Sequence, residues 1–106
     1  METPLEIDVT TAAQLLRNGA LLLDIREPYE VALCALANSQ HIPMRQIPEN
    51  LGIIPKERLI LVLCHAGARS LRVTQVLRAN GYPQVSNVAG GIDAWAKQID
   101  PSLARY

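Results

Sequence analysis

The chain has 106 residues, of which 49% are hydrophobic, and its ten basic and ten acidic residues cancel to a formal net charge of zero. Those values suit one globular domain over residues 1–106, burying roughly 60–70% of its unfolded surface, and exclude a disordered chain. The balanced charge gives no broad electrostatic case for nucleic acid or a membrane surface, and no apolar run approaches the roughly 18 residues of a bilayer span.

The N-terminus, METPLEID, is acidic and lacks a signal-peptide pattern, so a cytoplasmic protein is expected. Cys34 and Cys64 are then expected to stay reduced. His41 and His65 stand far apart and there is no Cys-x-x-Cys, so no metal or other cofactor is expected.

Leu5 to Val9 alternates apolar and polar, as a short edge strand does. Thr10 or Thr11 can cap a helix to about Arg17, with Leu15 and Leu16 inward and Asn18-Gly19 as its stop. Ala20 to Leu23 reads as a buried strand ending at Asp24. Asp24 and Arg26 suit an ion pair that ties down the following loop, and Glu27 can cap a helix that starts at Pro28. Cys34 reads as a buried, unreactive thiol, with a resolving partner for Cys64 as the alternative. Gln40 to Ile42 reads as another strand, with His41 half-exposed rather than a catalytic base. Arg45 to Leu51 suits a short helix among prolines, and Lys56-Glu57-Arg58 a solvated turn.

Leu59 to Leu63 is a continuous apolar run that fits a strand buried on both faces. After Ser70, a helix pattern with Leu71, Val73, Val76 and Leu77 as its stripe runs to Asn80-Gly81. Between them lies Cys64-His65-Ala66-Gly67-Ala68-Arg69. A thiol at a strand end that faces a helix N-terminus meets unpaired N–H groups and a partial positive charge, which favour a thiolate. Ala66, Gly67 and Ala68 are small enough for the backbone to curl its N–H groups inward as an anion nest, and Arg69 adds a cation. The alternative is a cysteine that merely fills the core.

Val85 to Val88 reads as a fifth strand. Ala89-Gly90-Gly91 turns into a helix with Ile92, Trp95, Ala96 and Ile99 on its apolar face and Trp95 as a core anchor. Gly90-Gly91 either lines the pocket beside Cys64 or is a plain tight turn. Residues 100–106 read as an irregular tail folded back on the domain. Strands alternating with helices imply an α/β fold with a parallel sheet covered on both faces.

Three blocks carry a family resemblance. Cys64-His65-Ala66-Gly67-Ala68-Arg69-Ser70 after a buried strand resembles the active-site loop of the rhodanese-like sulfurtransferases. Asp24-Ile25-Arg26-Glu27-Pro28-Tyr29-Glu30 resembles the family's "DVREPxE" segment, and Asn87-Val88-Ala89-Gly90-Gly91-Ile92-Asp93-Ala94-Trp95 its "L-x-GG-x-x-x-W" segment. The resemblance implies a five-stranded, mostly parallel sheet in the order 1-5-4-2-3 with helices on both faces. It also implies Cys64 as the nucleophile that carries a persulfide. Residues His65, Ala66, Gly67, Ala68, Arg69 and Ser70 would surround the substrate, with Arg26 near the mouth of the site. The segment 31–39 departs from the family, since Cys34-Ala35-Leu36 stands where relatives carry Gly-His-Ile.

The expected partners are a small anionic sulfur donor, such as thiosulfate, and a thiophilic acceptor that can be a protein. The tail also resembles rhodanese segments attached to enzymes that activate ubiquitin-like sulfur carriers. Two rivals remain at the level of sequence. A cysteine phosphatase uses a similar cradle with Cys-x5-Arg, one residue longer than the Cys-x4-Arg found here. A non-catalytic interaction module would keep the fold without turnover.

Overall fold

The computed structural model describes residues 3–106, so Met1 and Glu2 of the segment read for a leader lie outside the described residues. Its strands β2 (Leu21–Asp24) and β4 (Ile60–Leu63) bury successive side chains on opposite faces of one sheet. Leu23, Ile60 and Val62 pack on one face, and Leu22, Leu61 and Leu63 on the other. A sheet buried twice over needs a layer on each side, and this is why both strands read as continuous apolar runs.

The sheet order is β1-β5-β4-β2-β3, with β1 at Glu6–Ile7, β3 at Gln40–His41 and β5 at Val85–Val88. All four pairings are parallel, so no antiparallel strand is present among the described residues. Helices α1 (Val9–Arg17) and α4 (Gly91–Gln98) cover one face, with Val9, Ala12, Ile92 and Trp95 in its core. Helix α3 (Ala68–Ala79) and the segment around Ile47 and Ile54 cover the other. Helix α2 (Pro28–Leu33) follows β2, with Pro28 in its first turn.

Several boundaries differ from the sequence reading. β1 stops at Ile7 because Asp8, not Thr10 or Thr11, caps α1: its carboxylate accepts the Thr11 N–H at 2.8 Å. The helix expected over Arg45 to Leu51 is two 3-10 segments, Met44–Gln46 and Pro48–Ile53, because Pro48 has no N–H to continue one ladder. Cys34 is half-buried at the end of α2 rather than buried, and Ile99 lies just past α4 and is exposed.

Helix α3 begins at Ala68 rather than after Ser70, so Arg69 and Ser70 belong to its first turn. Its inward face is Ser70, Val73, Thr74 and Leu77, whereas Val76 is 44% exposed. The polar pair fits because Thr74 Oγ1 donates to the Ser70 carbonyl at 2.8 Å, leaving little unmet polarity on the buried face.

Candidate active site

The register of the sheet sets the site. Asp24 pairs with Leu63, so the C-terminal ends of β2 and β4 lie level, and Cys64 follows directly on the central strand. Sites in open parallel sheets assemble at that edge. The Cys64 side chain is buried, and two donors converge on its sulfur. Gly67 donates its backbone N–H to Sγ at 3.0 Å, and Ser70 donates its hydroxyl at 3.1 Å. Both stabilise negative charge on the sulfur. Gly67 can turn its N–H inward because it adopts φ +110, a conformation that side chains disfavour.

The loop is braced from behind by α4. The Ile92 N–H donates to the Cys64 carbonyl at 2.9 Å, and the Asp93 N–H donates to the His65 carbonyl at 3.0 Å. Two otherwise unpaired donors of a helix N-terminus are thereby spent on the nucleophile's own backbone. Gly91 makes the approach possible, since a Cβ there would stand 2.4 Å from the His65 carbonyl oxygen and 2.5 Å from that of Cys64. The sequence leaves pocket lining and a plain tight turn open for Gly90-Gly91; the close approach of Gly91 to the Cys64 and His65 carbonyls is a third role that neither names. On the β5 side, the wholly buried Asn87 donates Nδ2 to the Gly67 carbonyl at 3.1 Å and to Glu6 at 2.7 Å.

Arg69 does not lie free across the loop. Its guanidinium grips Glu30 of α2 through two bonds of 2.8 and 2.9 Å, and keeps part of its surface open to solvent. The Arg26 side chain is wholly buried. It pairs with Asp24, with Nη2 at 2.8 Å from Oδ2, and donates to the carbonyls of Glu30 and Cys34 and to the Tyr106 hydroxyl. All its donors are engaged inside the scaffold, so in this structure the residue offers none to a ligand. Burial works against its charge, but Asp24 and Tyr106 more than offset that and hold its pKa above the ordinary value.

Ala66 and Ala68 are exposed at the loop surface, and His65 is half-buried. His65 stacks on Tyr106, with ring centroids 4.0 Å apart and planes 14° from parallel. His41 is exposed, and its Nε2 lies 2.7 Å from the Arg26 carbonyl oxygen, away from the sulfur's donors. Glu30, Tyr106 and Asn87 were not singled out by the sequence reading. An asparagine inside the buried run Val85–Val88 was a signal of its own, because a buried amide needs partners.

The comparisons with known proteins agree with this geometry. The family description "Rhodanese-like domain" matches residues 8–98. The chain belongs to the rhodanese-like domain family. It is 39% identical to a sulfurtransferase of Allochromatium vinosum, over 93% of this chain and 94% of that one. It is 30% identical to the adenylyltransferase and sulfurtransferase MOCS3 of Oryza sativa subsp. japonica, over 81% of this chain but only 22% of that much longer protein. A crystal structure of a rhodanese-like domain protein from Staphylococcus aureus superposes with a TM-score of 0.81 at 30% identity, covering 100% of this chain and 99% of the other. Sulfurtransferase activity in general is what these rhodanese-like relatives and the shared fold support.

Proposed function

We propose that the protein moves a sulfane sulfur from a small anionic donor of the thiosulfate class to a thiophilic acceptor, through a persulfide on Cys64. The observation that carries this reading is the convergence of the Gly67 N–H and the Ser70 hydroxyl on Cys64 Sγ at the end of the central strand. In the first half-reaction the Cys64 thiolate attacks the outer sulfur of thiosulfate. A Cys–S–S⁻ bond forms, the S–S bond of the donor breaks, and sulfite leaves. The Gly67 and Ser70 donors that face the resting sulfur offer hydrogen bonds as negative charge moves outward. In the second half-reaction a nucleophile such as cyanide, or the thiol of an acceptor protein, takes the outer sulfur and restores the thiolate.

No general base is invoked, because the Gly67 and Ser70 donors on Sγ favour the anionic sulfur. The remaining N–H groups of the 65–70 loop and the open flank of Arg69 are the proposed seat of the donor's sulfonate end. His65 then stands beside the donor site, held by its stacking partner. A reducing cytoplasm suits the reading, since both cysteines are free thiols.

The test is intact-mass spectrometry of the reduced protein after incubation with thiosulfate. A gain of roughly 32 Da that requires Cys64 but survives Cys34→Ser, and that cyanide removes, is the expected result. No gain with thiosulfate or any other sulfane donor would overturn it and leave a non-catalytic interaction module in its place.

A further inference from the structure

The segment after α4 returns to the site through two anchors. Arg105 pairs with Asp93 at 3.2 Å, in the same first turn of α4 that braces the His65 carbonyl. Tyr106 goes further and touches both flanks of the Cys64 loop. Its ring lies flat against His65, the residue after the nucleophile. The His65 Nε2 is buried and has no hydrogen-bond partner, so the ring is held by stacking rather than by a polar bond. The Tyr106 hydroxyl donates to Glu30 Oε2 at 2.7 Å and accepts from Arg26 Nη1 at 3.1 Å. One oxygen thus joins the Asp24–Arg26 pair to the Glu30–Arg69 pair.

We propose that Tyr106 is a positioning residue for sulfur transfer: its ring fixes His65 on one flank of the Cys64 loop, and its hydroxyl, through Glu30, fixes Arg69 on the other. This rests on the sulfur-transfer reading above. Tyr106 contributes no reacting atom. The donors on Sγ come from Gly67 and Ser70, so loosening Tyr106 leaves the chemistry at the sulfur intact while widening the seat of the anionic donor. The two halves of the side chain are separable. Tyr106→Phe keeps the stack and removes the hydroxyl bridge, whereas Tyr106→Leu removes both. Burial, reinforced by the Glu30 carboxylate, pushes the Tyr106 hydroxyl up to about 12, so it remains a neutral donor throughout the working pH range.

The experiment compares the wild type, Tyr106→Phe and Tyr106→Leu in two assays, with the thermal midpoint of each recorded. The first is steady-state thiocyanate formation from thiosulfate and cyanide. The KM for thiosulfate should rise about tenfold in Tyr106→Leu and about threefold in Tyr106→Phe, with kcat changed less than about twofold. The second assay needs no sulfur transfer: the rate of Cys64 alkylation by iodoacetamide, assigned by peptide mass. It should rise several-fold in Tyr106→Leu as the loop loosens, and stay near wild type in Tyr106→Phe. Equal KM in all three proteins, a loss confined to kcat, or equal alkylation rates would each overturn the proposal. A wild type without turnover would count against the proposed function alone, because alkylation still decides whether Tyr106 holds the loop.

Discussion

Arg69 and Glu30 face each other with both carboxylate oxygens engaged, at 2.8 and 2.9 Å, across 39 residues of sequence. Glu30 also accepts the Glu27 N–H at 3.0 Å and the Tyr106 hydroxyl, while its own side chain is only 4% exposed. The Arg69 guanidinium, ahead of the Glu27 amide and the Tyr106 hydroxyl, holds its carboxyl down to about 2 against an ordinary value near 4.5, although burial opposes this. The folded pKa is depressed, so the stability it contributes is complete above the unfolded value near 4.5 and is lost as pH falls through the folded value near 2. The amount is on the order of 3 kcal/mol. Denaturant melts of wild type and Glu30→Gln between pH 7 and pH 2 should show this component only in the wild type. Curves that stay parallel through that window would remove Glu30 as its source.

Asp24 and Arg26 form the deepest charged pair, with neither side chain more than 1% exposed. The Arg26 backbone N–H also donates to Asp24 Oδ1, at 3.1 Å, so the carboxylate fixes the loop as well as the charge. Replacing the carboxylate by Asp24→Ala strands a guanidinium inside the scaffold, which costs roughly 3–5 kcal/mol. The expectation is a protein that is unfolded or melts far below wild type. Asp24→Asn keeps the shape and should fall between the two. A thermal midpoint for Asp24→Ala within a few degrees of wild type would show that the buried charge finds another partner.

The central strand was legible because its burial is two-sided: Leu59 to Leu63 leaves no polar face that could mislead about where it lies, whereas Val85 to Val88 buries Ser86 and Asn87 by pairing their side chains with the Pro4 carbonyl, Glu6 and the Gly67 carbonyl. The position of Cys64 followed from the strand before it and the helix after it. The face of α3 was legible only in part: Val73 and Leu77 of the expected stripe are buried, but the helix also buries Ser70 and Thr74 while exposing Val76, so hydrophobicity alone marks half of the inward face. Only the hydroxyl partners, Sγ of Cys64 for Ser70 and a main-chain carbonyl for Thr74, make those positions tolerable inside. The Asp24–Arg26 pair, two residues apart, was legible and is present, but the direction of Arg69 depends on Glu30, 39 residues away, and the last partner of Arg26 is a tyrosine 80 residues beyond it. Pairings of that length leave no local pattern.

Ser70 separates a donor role from a packing role. Its hydroxyl faces Sγ at 3.1 Å, while Gly67 supplies a second donor through its backbone, which no side-chain change removes. Ser70→Ala deletes one of the two and adds no bulk. A hydrogen bond to a charged group is worth roughly 1.5–3 kcal/mol, so persulfide formation from thiosulfate should slow by about tenfold or more while the fold is retained. Single-turnover mass measurements at saturating donor give the rate directly. A wild-type rate in Ser70→Ala would leave the Gly67 N–H as the donor that matters.

Gly91 carries the sharpest steric demand near the site. Its φ of +60 alone would cost alanine roughly 1–2 kcal/mol. The larger cost lies in the neighbours, because the added Cβ would stand 2.4 and 2.5 Å from two main-chain carbonyl oxygens that cannot swing aside like side chains. Relief requires α4 to draw back from Cys64 and His65, which breaks the 2.9 and 3.0 Å bonds that brace the loop. Gly91→Ala should therefore lower stability by about 2–4 kcal/mol and depress persulfide formation even in the folded fraction. Gly19 supplies the control, since it has φ +100 but no atom within 4 Å of an added Cβ. Gly19→Ala should pay the backbone strain and keep wild-type chemistry. Thermal melts combined with persulfide mass on the folded fraction separate the two effects, and equal losses of activity in both variants would refute the bracing role of Gly91.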